Sequence, residues 1–308
     1  MDTIDNSPMQ KYAKDFVDKM RKMTFVINTS RNEKAYIELL LTSLLNGIDI
    51  ELHDIIVFVD SDNQNTTEML IEQKSVFPNL KIIKNTGDPI GYASNINYLF
   101  SIANTEIVSY LQSDQVVCLN YDHAFYGIKP GMIVSSTRVE PPLHAKWDND
   151  ITLVKDFGLT PDTFQYETFL AYADNVKQWK YTNYFFAPFT CHKSTWLNIN
   201  GHDVRFRKSR EDSDVAIRLL LNGVRLYQDW RAIVYHFTCT SSRQWALPEN
   251  RNKNINYEND QIELKRFVDK WGSFIHPSTF EDVAQFKDQA YNIIANNPPI
   301  DESKFIVY

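Results

Sequence analysis

Three cysteines, Cys118, Cys191 and Cys239, are all that 308 residues provide, and they lie far apart. An odd, scattered set excludes a disulfide framework and has no zinc-ligand spacing, so it fits reduced thiols and a cytoplasmic location. Apolar runs stay short of the eighteen or more residues that span a bilayer, so no membrane span is expected. The start MDTIDNSPMQ lacks the basic and apolar regions of a signal peptide. Positive charge is also in deficit: 32 Lys and Arg against 39 Asp and Glu leave a net charge of -7, which excludes a general nucleic-acid binder. Glycine is sparse, and no Gly-rich phosphate loop follows the first apolar run. Repeats and low-complexity tracts are absent.

What remains is an ordinary globular composition with a large aromatic load of 16 Tyr, 19 Phe and 6 Trp. Residues 9–22 carry Tyr12, Phe16 and Met20 at helical spacing. MTFVIN (23–28) reads as a strand that breaks into the polar loop Thr29-Ser30-Arg31-Asn32-Glu33. A helix with Ile37, Leu40, Leu41, Leu44 and Leu45 follows, with Gly47 as its stop. DIIVFVD (54–60) ends a second strand on Asp60, and Asn65 with Glu68 has capping-box spacing for the next helix. LKII (80–83) is a third strand, GYASNINYLFSIAN a helix, and IVSYLQSDQVV (107–117) a strand interrupted by Gln112-Ser113-Asp114-Gln115.

Strands alternating with helices predict a mainly parallel α/β sheet, whose ligands collect at the carboxyl ends of the strands. The Thr29 loop, Asp60 and Asp114 all fall at those ends. Residues 138–182 read as a long irregular excursion, of the kind that forms lids and binding loops. Regular structure resumes in a helix over about 211–222, where Ser209 and Asp212 have N-cap spacing and Gly223 fits the stop. A strand ending on His236 follows. Helices are expected again around QIELKRFVDKWG and near 280–295.

This order of motifs resembles the family-2 glycosyltransferases, which have the GT-A (Rossmann-like) fold, over roughly residues 23–240. FVINTSRNE resembles that family's nucleotide-binding opening, VFVDSDNQNT its strand-Asp-loop element, and GYASNIN its small-residue helix start with Asn95. LQSD stands at the place of the D-x-D metal motif, with Gln112 where the first acid is usual. EDSDVAIRLLLNG resembles the ED motif, and VYH the strand ending in His. The resemblance implies a GT-A domain over 1–245, with a nucleotide-sugar half near 23–120, an acceptor half near 121–245, and a helical extension over 246–308.

It further implies transfer of a sugar from a UDP- or GDP-linked donor to a hydroxyl of a glycan or related acceptor, with inversion. Asp212 would be the general base, with Glu211 beside it. Thr29, Ser30, Arg31, Glu33, Asp60, Asn95, Gln112 and Ser113 would line the donor. A divalent ion, Mn²⁺ or Mg²⁺, would sit on Asp114 with His236 as a second ligand, His suiting Mn²⁺ better. The N-terminus of the 211–222 helix is expected to keep Asp212 ionised. Trp147, Trp179, Tyr181 and Tyr184 are candidates for stacking on sugar rings. Two alternatives stay open: a sugar nucleotidyltransferase, disfavoured by the missing phosphate loop, and a non-catalytic sugar- or nucleotide-binding module, suggested by Gln112.

Overall fold

The computed structural model describes residues 21–143, 147–206, 209–238, 255–273, 275–287 and 295–308. Most of the amphipathic segment expected over 9–22, and Cys239, lie outside them. Eleven strands among the described residues form one sheet in the order β11-β3-β2-β1-β4-β9-β6-β10-β5, with β7 beside β6 and β8 beside β10.

The first half follows the sequence pattern. Strands β1 (Met23–Thr29), β2 (Asp54–Val59), β3 (Leu80–Asn85) and β4 (Ile107–Gln112) pair in parallel. They are joined through helices α1 (Lys34–Gly47), α2 (Thr66–Gln73) and α3 (Tyr92–Ile102). The two-residue alternation of a strand sorts their side chains between two cores. Phe25, Ile27, Ile55, Val57 and Val59 join Leu40, Leu41 and Leu44 of α1. Val26, Ile56 and Phe58 join Leu99 and Phe100 of α3 on the other face.

Gly47 is the last residue of α1, but its role is not that of a left-handed stop. A Cβ there would meet Val117 Cγ2 at 2.4 Å and the Cys118 carbonyl at 3.1 Å. The helix end is thus pressed against β5 (Gln115–Val117), leaving room only for a hydrogen. Gly47→Ala is expected to destabilise the fold by about 1–3 kcal/mol through overpacking, measurable as a lower urea midpoint. The cap of α2 also differs from expectation. Asn65 makes no side-chain cap bond, and Asp62 caps instead, accepting from Thr66 N and Thr67 N at 2.9 Å. These bonds and others from the turn outweigh burial and hold the Asp62 carboxyl far below its usual range.

The excursion at 138–182 is more regular than its composition suggests. It contains the end of β6 (Met132–Glu140), β7 (Thr152–Val154), α4 (Tyr166–Val176) and β8 (Tyr181–Thr182). β9 (Phe189–His192) is antiparallel to both β4 and β6 and joins the two halves. Helix α5 (Lys193–Asn198) follows, then α6 (Glu211–Leu221), which ends on Gly223 at φ 74° as expected. β10 (Arg225–His236) runs parallel to β6 with a bulge between Asp229 and Ile233. The C-terminal region is not only helical. Beyond α7 (Ile255–Trp271) and α8 (Phe280–Val283), β11 (Phe305–Val307) adds an antiparallel edge to β3.

One connection fixes where the site forms. Only Ser113 and Asp114 join β4 to β5, yet β5 lies four places away in the strand order, beyond β10. Four spacings of a flat sheet are about 19 Å. Three Cα steps reach only about 11 Å. The sheet must therefore curl, and the curl carries the end of β4 to the end of β10.

Candidate active site

On the β1–β2–β4 side, the predicted donor residues form a hydrogen-bonded rim. Glu33 Oε2 accepts from Ser30 N (2.8 Å), Ser113 Oγ (2.8 Å) and Thr29 Oγ1 (3.3 Å). One carboxylate thus ties the loop after β1 to the turn after β4. The exposed Arg31 donates to Ser61 Oγ at 2.7 Å, leaning toward the loop after β2. Asp60 is buried and accepts from Asn85 Nδ2 (3.0 Å), Ile90 N (2.9 Å) and Gly91 N (2.9 Å). It therefore organises the 85–91 segment that starts α3, with about one lone-pair position of its carboxylate left over. Gly91 enters the helix at φ 85° and ψ 163°, a conformation that only glycine adopts without strain. Asn95 is buried, and its Oδ1 lacks a protein partner, an acceptor that water or a ligand would satisfy. Gln112 is committed to its own turn: its N–H donates to Gln115 Oε1 and its Oε1 accepts from Gln115 Nε2.

The curl brings Asp114 and His236 together. Asp114 Oδ2 lies 3.7 Å from His236 Nε2, and both residues are buried. His236 Nδ1 is 2.8 Å from Glu140 Oε1, and with Nδ1–H donating there Nε2 is the ring nitrogen turned toward Asp114. Burial alone would raise the Glu140 carboxyl, but the His236 hydrogen bond and the Arg138 charge bring it down to about 2. Two donors each about 2.1 Å from one ion can be up to about 4.2 Å apart, so this oxygen and nitrogen fit a shared divalent cation. Among the described residues no group of three or more His, Cys, Asp or Glu could hold a metal. Two protein ligands suit an ion that takes its remaining oxygens from phosphates and water.

The Glu211–Asp212 pair opens α6. Arg210, at φ 70°, makes the turn into the helix, while Ser209 turns away and donates to Glu263 Oε2 instead of capping. Tyr110 lies near both groups: its hydroxyl donates to Asn28 Oδ1 at 2.6 Å, and the charges of Asp114, Asp212 and Glu33 all act on it. Arg138 does the same from below, its charge acting on both Glu140 and Asp212. Its guanidinium is clamped by the Ala187 carbonyl and lies 3.4 Å over the Phe186 ring.

At Asp212 the direction is set by burial and not by the helix N-terminus. Burial pushes its carboxyl up, with Arg138 and His276 only partly opposing. Glu211 rises as well, through burial and then the Asp212 charge. The helix N-terminus is outweighed by desolvation, which is the larger effect for an enclosed carboxylate. Asp212 Oδ1 and Glu211 Oε2 are buried without protein partners. The third acid, Asp214, has a different job: it is fully buried, bonded to Arg218 Nε, Trp271 Nε1 and Lys270 Nζ at 2.8, 2.9 and 2.6 Å.

Residues 25–119 match one family model. It is glycosyl transferase family 2. The family-2 match covers the donor rim and Asp114. The solved structure of GalNAc-T7 with UDP, GalNAc and Mn²⁺ is similar over 70% of this chain and 44% of that one, at 12% identity and a TM-score of 0.53. S. aureus TarS 1-349 is similar over 70% of this chain and 60% of that one, at 13% identity and a TM-score of 0.48. The chain thus spans less than half the length of GalNAc-T7, and the likeness establishes the GT-A fold. A search of the curated proteins returned no match.

Beyond the family-2 segment, the structure adds partners that sequence reading missed. Glu140 carried a usable signal, an acid closing an apolar strand as Asp60 does. His276 carried none, because it comes from the segment after α7. It places Nδ1 2.8 Å from Ser213 Oγ and packs on Tyr184, with ring centroids 5.2 Å apart. Of the four aromatics expected to meet sugar, only Tyr184 joins this group. Trp179 and Tyr181 lie against Arg231, and Trp147 is solvent-exposed.

The raised pair has a pH consequence of definite sign. Glu211 is easier to bury when protonated, so its stabilising contribution is complete below its unfolded pKa and is lost as pH rises through the folded one. Thermal midpoints are expected to fall from mildly acidic to mildly alkaline pH, and Glu211→Gln to flatten that fall. An unchanged slope in the variant would place the titration elsewhere.

Proposed function

We propose that this chain is a metal-dependent glycosyltransferase that moves a sugar from a UDP- or GDP-linked donor to a hydroxyl of a glycan or related acceptor, with inversion. The observation that carries the reading is the Asp114–His236 pair, bonded to Glu140, together with Tyr110, on which the charges of both Asp114 and the buried Asp212 act. The Thr29–Arg31 loop and Ser113, fixed by Glu33, line the nucleotide. Asp60 offers its remaining acceptor position to a base N–H, and Asn95 Oδ1 offers another to the donor. Asp114 and His236 would hold a divalent ion, which when bound would neutralise charge on the diphosphate.

Asp212 takes the proton of the acceptor hydroxyl as that oxygen attacks the anomeric carbon. The bond from that carbon to the phosphate oxygen breaks on the opposite face, and the nucleoside diphosphate leaves with the electron pair. Burial raises the basicity of Asp212, and the charge of Arg138 partly offsets it. Enclosure by Tyr92, Tyr110 and Tyr184 limits access of water to the base.

Thermal-shift and donor-hydrolysis assays with a panel of UDP- and GDP-sugars test the reading. A binder at a hundred times its Kd should add about 2.7 kcal/mol of stability. The shift should require Mn²⁺ and disappear in Asp114→Ala. If no nucleoside diphosphate binds, with or without Mn²⁺, the proposal fails. Binding without hydrolysis or transfer would instead support a silent sugar-nucleotide module.

A further inference from the structure

Away from the cleft, two cavities of about 750 and 440 Å³ adjoin on the flank of the sheet, sharing His123, Ala124, Gly127, Ile128 and Arg231. The larger has the size of a small-ligand pocket. Arg231 stands five residues before His236 on β10, which places this groove roughly 16 Å from the candidate metal pair.

The larger cavity has a charge opposite to that of the chain, while the smaller holds Asp229, paired to Arg231. The net charge of the protein is -7. The wall of the larger cavity nevertheless carries Arg21, His123, Lys129, Lys177 and Arg231 and no carboxylate. Trp179, on the same wall, is 83% exposed, a large apolar surface that folding leaves uncovered. Its ring is held from one side by the Arg231 guanidinium, 4.1 Å from the centroid. Arg231 is in turn fixed by Asp229 Oδ1 (3.0 Å), the Ala124 carbonyl (3.2 Å) and the Tyr181 hydroxyl (2.8 Å). A flat indole on a rigid support, with an open face and cations around it, is preorganised for a ring that is apolar on one face and bears an acid group.

We propose that this flank groove binds an anionic oligosaccharide, with a sugar ring on the open face of Trp179 and its acid groups on the surrounding Lys and Arg side chains. A pyranose offers its C–H face to the indole and its hydroxyls to hydrogen-bonding side chains at the rim. A long polyanion is disfavoured by the acidic remainder of the protein. Such binding does not depend on sugar transfer in the cleft.

The test uses the full chain, ¹⁵N-labelled at Trp, titrated with tetragalacturonate while the indole N–H signals are followed. The Trp179 signal, assigned by its loss in Trp179→Ala, should shift. Trp179→Ala and Lys129→Glu should each weaken binding about tenfold. Neutral maltotetraose should bind at least about tenfold more weakly, since it lacks the carboxylates that make salt-sensitive contacts with Lys and Arg. Asp114→Ala should bind as well as the parent, separating this groove from the donor cleft. The proposal is overturned if the Trp179 signal does not move or if Trp179→Ala binds unchanged. Equal competition by inorganic phosphate would reduce the groove to a simple anion site, and tighter binding of a thymidine tetranucleotide would make it a nucleic-acid groove; either outcome also overturns it.

Discussion

Asp212→Asn should lower turnover by about 10²–10⁴-fold, the usual worth of a general base. Donor affinity should be unchanged, because the donor rim and the Asp114–His236 pair make no contact through this carboxylate. The substitution keeps shape and removes a buried charge that stands beside Glu211 and has an oxygen without a protein partner. Stability should therefore hold or improve, most at alkaline pH where both acids are ionised. That combination sets a lost base apart from a damaged fold. Single-turnover rates and calorimetric donor affinities check it on the same preparation. Retention of more than about a tenth of parental turnover would move the base elsewhere, with Glu211 the nearest group to examine.

Asp214→Ala is expected to cost about 3–5 kcal/mol, the range for removing one partner from a buried ion network. Such a loss is a large part of the roughly 5–15 kcal/mol that holds a typical domain together. Its carboxylate is reached by Arg218 from its own helix and by Lys270 and Trp271 from α7. Without it, Arg218 is left as a fully buried cation, and Lys270 loses its 2.6 Å carboxylate partner while retaining Asp203 at 3.0 Å. Because Asp214 follows Asp212 by two residues, loosening α7 should also disturb the start of α6. Urea midpoints measure the loss. A change under about 1 kcal/mol would reduce the network to the weight of a surface pair.

The parallel half of the sheet was legible because its information is local. Apolar runs of strand length alternate with the Ile37–Leu44 and Leu99–Phe100 helix faces, and strand direction alone sends Thr29, Asp60 and Asp114 to one edge. The second half was less legible for a physical reason. β9 and β5 acquire meaning only from distant partners, β4, β6 and β10. α4 buries only Phe169, Leu170 and Ala173, too narrow a stripe to stand out between prolines and scattered aromatics. Caps misled similarly: Ser209 had the spacing, but Glu263, 54 residues later, supplied a stronger partner.

The candidate site divides along the same line. Asp114 stood out at a strand end, while His236, Asp212 and Glu211 could be named because the order of motifs resembles the family-2 glycosyltransferases. The raised carboxyls of Asp212 and Glu211 could not, since they depend on burial of that pair. The curl that joins β4 to β5 is likewise invisible in Ser113-Asp114 alone.

The pairing of β11 with β3 bears on how the chain comes together in time. Asn85 faces Phe305 across this edge, 220 positions away in sequence. During synthesis β1 to β4 can assemble early, but β3 then waits with a row of unpaired backbone groups. Such an edge is a template for pairing with another chain. Phe305 also closes over Phe58 and Tyr98, at centroid distances of 5.1 Å from each. The nascent protein therefore carries a sticky border through most of its elongation, and the late strand seals it.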